Sequence, residues 1–167
     1  MNATASLRFS NAEVIFDDKA LQMRLYPREG AALDASFIRV GCKNFEWQIA
    51  SAAQLSDQLG TVLSTVVYLT FKYGKANLSP ELNNEANLTR WHGIFGSFSN
   101  VKTLHVPNCL VKDLSRSLQL GEGESPMELL SELKELEYTT TDDISDEFAA
   151  FIHSRQNAGR PVTLHRG

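Results

Sequence analysis

The chain has 167 residues, of which 43% are hydrophobic and 22% are charged, and this is the size and composition of one globular domain. Its formal net charge of −4 argues against nucleic acid as the main partner, because phosphate binding needs a basic surface. No apolar run approaches the roughly 20 residues of a membrane span, and the first residues lack the basic and apolar regions of a signal peptide. We therefore expect an intracellular protein of the cytoplasm or nucleus, with no membrane partner.

The first 34 residues contain two segments that alternate apolar and polar side chains, "LRFSNAEVIF" and "LQMRLYP", separated by the turn-forming letters "DDKA". Alternation with a period of two is typical of strands that bury one face. We predict two or three irregular strands in residues 1–34, which form an antiparallel hairpin or cap, or the degraded end of earlier repeats. In both cases the chain resembles the C-terminal portion of a longer array.

Residues 35–167 contain five short apolar runs that align with one another. They begin 28 to 35 residues apart, and their first, fourth and sixth positions are mostly apolar and predicted to face the core. The runs are "FIRVGC" from Phe37, "VVYLTF" from Val66, "VKTLHV" from Val101, "LKELEY" from Leu133 and "PVTLHR" from Pro161. A period of this length is typical of solenoid proteins, in which each repeat packs on its neighbours.

Apolar residues spaced by three or four positions lie between these runs, and this spacing predicts amphipathic helices. The predicted helices cover residues 47–63, 85–98, 110–120 and 142–158, and the last of them stops at Gly159 and Pro161. Strands that alternate with helices at this period predict an α/β solenoid that forms a single domain. We expect about five strand–helix repeats over residues 35–167, with parallel strands on a concave face and helices on a convex face.

The segment "VKTLHVPNCLV" matches the leucine-rich-repeat consensus L-x-x-L-x-L-x-x-N/C-x-L. The matching positions are Val101, Leu104, Val106, Cys109 and Val111. Four segments, "WHGIFGSFSNVKTLHV", "LVKDLSRSLQL", "ELLSELKELEY" and "FAAFIHSRQNAGRPVTL", extend the similarity. With them, the chain resembles the C-terminal region of fungal F-box and leucine-rich-repeat-like proteins over about residues 55–164.

The resemblance implies a leucine-rich-repeat-like solenoid that serves as the substrate-binding part of a cullin-RING ubiquitin-ligase adaptor. In such adaptors an F-box binds the ligase core, while the repeats bind the substrate. The sequence shows no F-box helices ahead of the repeats. The resemblance therefore implies contact with a ligase core only if an F-box is supplied elsewhere.

The alignment of the runs also predicts which side chains point away from the helices. Positions 3, 5 and 7 of each strand are expected on the concave face, and their charge changes from basic to acidic along the solenoid. We predict that an unidentified protein partner binds this face through Arg39, Lys43, Tyr68, Thr70, Lys72, Thr103, His105, Glu135, Glu137 and His165. The alternative is a solvated face without a partner.

Two combinations of side chains raise the question of catalysis or metal binding. His105 and Cys109 resemble a base and a nucleophile, but Pro107 interrupts the strand between them, and Cys109 occupies an inward-facing consensus position. We therefore predict a structural thiol. His105, Glu137 and His165 are predicted to form a row whose two histidines are about 9.6 Å apart, which is wide for a shared zinc ion. A hydrogen-bonded, pH-sensitive row without metal is the favoured interpretation.

The remaining motifs give no sign of a reaction. Cys42 and Cys109 match neither a zinc spacing nor a disulfide framework, so free thiols are expected. The sequence has no G-x-S-x-G or H-E-x-x-H motif, and "GEGESP" lacks the lysine of a phosphate loop. We predict a protein-recognition module with no catalytic residue and no cofactor. The alternatives are a structural fragment of a longer repeat array and an α/β enzyme.

Overall fold

The computed structural model describes residues 8–28, 35–74, 85–118, 129–139 and 148–167. Within these ranges the protein is an α/β structure, in which seven strands form one mixed sheet. The strands are β1 (Phe9–Phe16), β2 (Ala20–Pro27), β3 (Ser36–Gly41), β4 (Tyr68–Tyr73), β5 (Thr103–Val106), β6 (Glu135–Tyr138) and β7 (Thr163–Arg166). The helices are α1 (Phe45–Gln58), α2 (Gly60–Leu63), α3 (Glu85–Ser97), α4 (Val111–Leu118) and α5 (Ala149–Asn157). None of the helices in these ranges has the length and apolar character needed to cross a membrane.

The strands lie in the order β3-β2-β1-β4-β5-β6-β7. β1 pairs antiparallel with β2 and parallel with β4, and β4 to β7 continue as parallel neighbours in chain order. An antiparallel N-terminal hairpin is therefore present, but it lies within the sheet, between β3 and β4. The expectation that the "FIRVGC" strand (β3) lies beside the "VVYLTF" strand (β4) is wrong, because the two strands of the hairpin separate them.

The turn between β1 and β2 is held by the carboxylate of Asp17. Its Oδ1 accepts hydrogen bonds from the backbone N–H groups of Lys19 and Ala20, at 2.7 Å each. Gln48 of α1 is buried, and its Nε2 donates to the backbone carbonyls of Asp17 at 2.8 Å and Cys42 at 2.5 Å. These bonds join the first helix to the hairpin turn and to the segment after β3.

A turn with one sequence pattern and one hydrogen bond precedes each of β4, β5 and β6. The pattern is an apolar residue, a serine, a variable residue and a second apolar residue, at positions 63–66, 98–101 and 130–133. The N–H of the fourth residue donates to the carbonyl of the first, at 3.1, 3.4 and 2.9 Å respectively. All six apolar side chains are buried, which confirms the predicted core positions Val66, Val101 and Leu133.

One face of the sheet forms the hydrophobic core with the helices. The strand residues buried on this face include Val14, Leu69, Phe71, Leu104, Val106, Leu136 and Tyr138. Helix α3 packs between α1 and α4. Its Trp91 contacts Phe16, Phe71 and Phe95, with ring centroids 5.9, 5.6 and 6.2 Å apart. The helix layer and the central strands therefore share one continuous core.

The side chains that alternate with the buried ones lie on the opposite face of the sheet, which we call the open face. They are exposed or half-buried. Phe37 of β3 belongs to the open face and is 68% exposed. Its predicted place in the core is wrong, because β3 is an edge strand whose register pairs Phe37 with the exposed Arg24 of β2.

The C-terminal end of the last helix, α5, lies where the sequence predicts it. Gly159 follows α5 with a φ of 75°, a left-handed conformation that glycine adopts at helix ends. The predicted start of this helix at residues 142–147 lies outside the described residues, as do residues 119–120 at the predicted end of the helix before β6.

Arg155 of α5 is fully buried and holds the turn before β6. Its Nη2 donates to the backbone carbonyls of Leu130 at 2.9 Å and of Ser131 and Leu133 at 3.2 Å each. Its guanidinium carbon lies 5.7 Å from the centre of the Phe151 ring. This arginine therefore has a structural role in joining α5 to the turn before β6.

Candidate functional site

The open face brings most of the predicted partner-binding residues together. Paired residues of neighbouring strands share a face and lie about 4.8 Å apart. The pairing gives two rows, Tyr68–Thr103–Glu135 on β4 to β6 and Thr70–His105–Glu137–His165 on β4 to β7. The register that the sequence alignment predicts is therefore confirmed for these four strands.

Arg39 and Lys43 lie apart from these rows. Arg39 is on β3 at the edge of the sheet, and β2 and β1 separate it from β4. Lys43 lies beyond the end of β3, in the segment before α1. The charge still changes from basic to acidic across the open face, because Arg39 is near one edge of the sheet while Glu135 and Glu137 are on β6.

Glu13 of β1 is the centre of a polar cluster on the open face that the repeat alignment does not reveal. Its Oε1 lies 2.7 Å from Lys72 Nζ, its Oε2 accepts a hydrogen bond from the Tyr26 hydroxyl at 2.9 Å, and Arg24 Nη1 is 4.0 Å away. Burial alone raises the pKa of Glu13, but the hydrogen bonds from Lys72 and Tyr26 and the charges of Lys72 and Arg24 lower it below its ordinary value. The charge of Lys72 is therefore partly neutralised inside the protein.

The row of His105, Glu137 and His165 forms as the alignment predicts. The polar contact of His105 is with the Thr139 hydroxyl, 3.5 Å from His105 Nε2, instead of with Glu137. Within the part of the chain that the structure describes, no group of three or more histidine, cysteine, aspartate or glutamate side chains is placed to hold a metal ion. The row is thus a polar strip of the open face, and its pH sensitivity stays a prediction.

Cys109 and His105 lie on opposite sides of the sheet. Cys109 is in a short 3₁₀ turn, Asn108–Leu110, and packs against the hydrophobic core, whereas His105 is on the open face. Burial, together with the charge of Asp113, raises the pKa of the thiol, and both cysteines are free thiols. Because the two side chains lie on opposite sides of the sheet, they are not arranged as a nucleophile and its base. The raised pKa of Cys109 also disfavours the reactive thiolate form.

Asp113 and Tyr73 share the environment of Cys109 near the carboxyl ends of β4 and β5. Burial raises the pKa of Asp113 to about 6, against a smaller lowering by the charge of Arg116. Burial also raises the pKa of the Tyr73 hydroxyl, and the charges of Cys109 and Asp113 add to this shift. Desolvation and mutual repulsion explain these shifts as consequences of packing.

Comparison with known proteins found no matching family model, no matching curated protein and no matching solved structure. The function of the open face is therefore argued from its own side chains. Phe37 and Tyr68 are large aromatic groups that are 68% and 51% exposed; the register of the strands pairs Phe37 with Arg24, and Tyr68 with Asn11 and Thr103. Exposed aromatic rings within a polar surface are typical of protein-interaction sites.

Proposed function

We propose that this chain is a leucine-rich-repeat-like solenoid that recognises a protein partner through its open face, as the substrate-binding part of an F-box-like ubiquitin-ligase adaptor. Recognition involves complementary shape and charge and no chemical step. The observation that carries this proposal is the combination, on one face, of aligned polar rows and two exposed aromatic side chains, Phe37 and Tyr68.

The backbone hydrogen bonds between successive units support the solenoid. The N–H of Thr103 donates to the carbonyl of Val67 at 3.2 Å, that of Glu135 to Lys102 at 3.0 Å, and that of Thr163 to Lys134 at 2.8 Å. These residues hold equivalent places at the starts of β5, β6 and β7. Repetition of one bond in successive strand–helix units is what stacked repeats produce.

The side chains of the open face support protein recognition. Aromatic residues and arginine dominate the binding energy of protein interfaces, and Phe37, Tyr68 and Arg39 are all exposed. Arg39 and Glu137 have opposite charges and lie on strands separated by four others. Such a separation of charge orients a partner during its approach and raises its association rate.

The test is affinity purification of partners from cells with charge-reversal variants of the open face. Arg39→Glu and Glu137→Lys change one charge each without removing the Glu13–Lys72 ion pair, whereas Lys72→Glu would also break that pair. We expect each variant to recover at least about fivefold less of the partners that the wild type binds, because like charges would then face each other.

The controls reverse charges on exposed helix positions. Lys112→Glu on α4 and Asp57→Lys on α1 make the same changes of charge away from the open face. Both should retain the partners of the wild type. If Arg39→Glu and Glu137→Lys also retain every partner, the proposal that the open face recognises a protein is wrong.

A further inference from the structure

Positive charge is concentrated at the edge of the sheet where the parallel strands begin. A groove of about 990 Å³ lies there, lined by residues near the starts of β1 and β4 and by the turns before β5 and β6. Its exposed side chains include three cations, Arg8, Arg28 and Lys102, and one carboxylate, Glu132. Tyr68, which is 51% exposed, adds an aromatic ring to the wall. We call this cleft the amino-end groove.

Backbone hydrogen bonds fix the relative positions of these cations. The N–H of Arg28 donates to the carbonyl of Arg8 at 3.1 Å, so the two arginines occupy neighbouring chain segments. The N–H of Lys102 donates to the carbonyl of Val67, and that of Lys134 to the carbonyl of Lys102, at 2.8 Å each. The backbones of Arg28 and Arg8 therefore lie about one strand spacing apart, roughly 4.8 Å, whereas Lys102 lies about two spacings from Arg8, because β4 separates β1 from β5.

The amino-end groove has an excess of positive charge that the neighbouring groove lacks. A second groove of about 520 Å³ continues the same edge between the starts of β6 and β7. Its charged lining is balanced, with Lys134 and Arg160 against Glu132 and Glu135. The amino-end groove has three cations against one carboxylate, in a chain whose net charge is −4.

Among the residues that the structure describes, no ion pair uses a cation of the amino-end groove. Among the described residues, the ion pairs that involve β1, β2 and β4 both use Glu13 on the open face. Clustered positive charges repel one another, and a bound anionic group would offset this repulsion.

We infer that the amino-end groove binds a short acidic peptide segment, with its carboxylates on Arg8, Arg28 and Lys102 and an apolar side chain against Tyr68. Guanidinium groups bind carboxylates through two parallel hydrogen bonds, which suits aspartate and glutamate side chains. Nucleic acid fits less well, because Glu132 would face the phosphates and the chain as a whole is negative. This surface goes beyond the proposed function, because it lies at the edge of the sheet and shares only Tyr68 with the open face.

The experiment titrates the full chain into a fluorescein-labelled peptide in which glutamates flank a single phenylalanine, and follows fluorescence anisotropy. We expect saturable binding that weakens as the salt concentration rises. Lys102→Glu should lower the affinity about tenfold or more, because a repulsive contact replaces an attractive one. The matched control Lys112→Glu, on exposed α4, should bind the peptide as the wild type does.

Two further variants separate the possible outcomes. Lys102→Gln should give an intermediate loss, and circular dichroism checks that each variant is folded. Arg39→Glu on the open face should leave peptide binding unchanged, so a failure of the proposed function does not remove this inference. Absence of peptide binding, equal binding by Lys102→Glu and Lys112→Glu, or tighter binding of a single-stranded RNA of the same charge would each overturn it.

Discussion

Substitution of Phe16 tests whether the N-terminal hairpin belongs to the main hydrophobic core. Phe16 is the last residue of β1, it is fully buried, and its ring lies 5.2 Å from that of Phe45 and 5.9 Å from that of Trp91. Phe16→Ala removes the ring and leaves a cavity, so we expect the free energy of unfolding to fall by about 3–5 kcal/mol. The loss of two edge-to-face contacts places the expected value towards the upper end of this range.

The assay is urea denaturation followed by tryptophan fluorescence in a Trp47→Phe background. Trp91 is 1% exposed and Trp47 is 70% exposed, so the remaining tryptophan reports the unfolding of the core. With a slope of about 2 kcal/mol per molar urea, the midpoint should fall by about 2 M for Phe16→Ala. The control Phe16→Leu keeps much of the volume and should shift it less than half as far. A shift below about 0.5 M for Phe16→Ala, at an unchanged slope, would refute the central place of β1.

Three further predictions concern buried or half-buried charged groups, and urea denaturation across pH measures each of them. Because the pKa of Glu13 is lowered in the folded state, its negative charge stabilises the fold above pH 4.5, and this stabilisation is lost as the pH falls through the lowered pKa. Glu13→Gln should therefore lower the free energy of unfolding by about 1 kcal/mol at neutral pH and leave it unchanged in strong acid. Because burial raises the pKa of Asp113 from 3.8 to about 6, its ionisation destabilises the fold as the pH rises through this window. Asp113→Asn should therefore be more stable than the wild type by up to about 3 kcal/mol above this window and equal to it below pH 3.8. Arg155→Met should lose about 2–3 kcal/mol at neutral pH, because three backbone carbonyls lose their donor.

The pH dependence distinguishes these explanations from simple packing effects. A difference between the wild type and Glu13→Gln, or between the wild type and Asp113→Asn, that stays constant over the whole pH range would contradict the assigned charges. If Arg155→Met is as stable as the wild type, the carbonyls before β6 find other donors and the proposed structural role of Arg155 is wrong.

The sequence predicts the part of the fold that repeats. The aligned positions of Leu69, Leu104 and Leu136 are buried, and their neighbours on the open face pair as the alignment requires. This success has a physical reason, because a buried apolar residue at a fixed position in each unit sets the start and register of a strand. The serine shared by the three repeated turns is a further signal in the same segments.

The sequence predicts the antiparallel hairpin of β1 and β2, but not the place of this hairpin within the sheet. Alternation of apolar residues identifies β1 and β2 as strands, but it contains no information about which other strands they pair with. The resemblance of "FIRVGC" to the later runs predicts that β3 lies beside β4, but in the structure β1 is the neighbour of β4. The same alignment predicts Phe37 in the core, whereas on the edge strand β3 it is exposed.

Both charged features missed by the alignment depend on contacts between distant parts of the chain. Glu13 pairs with Lys72 only because β1 lies beside β4. The signal for Glu13 in the sequence is the position of its carboxylate between two apolar residues, Ala12 and Val14, that are buried in the structure. Lys102 of the amino-end groove lies in the turn just before β5. The alignment considers only positions 3, 5 and 7 of each strand for binding, so it does not select this residue.

The most direct test of the proposed function is photo-cross-linking in cells from matched aromatic positions. Benzoylphenylalanine is introduced in place of Phe37 or Tyr68 on the open face, or in place of Trp47 on α1, where the side chain is also largely exposed. The proposal predicts that positions 37 and 68 cross-link to the same partner protein and that position 47 does not. Cross-linking of a partner from position 47, with none from positions 37 and 68, would contradict recognition through the open face.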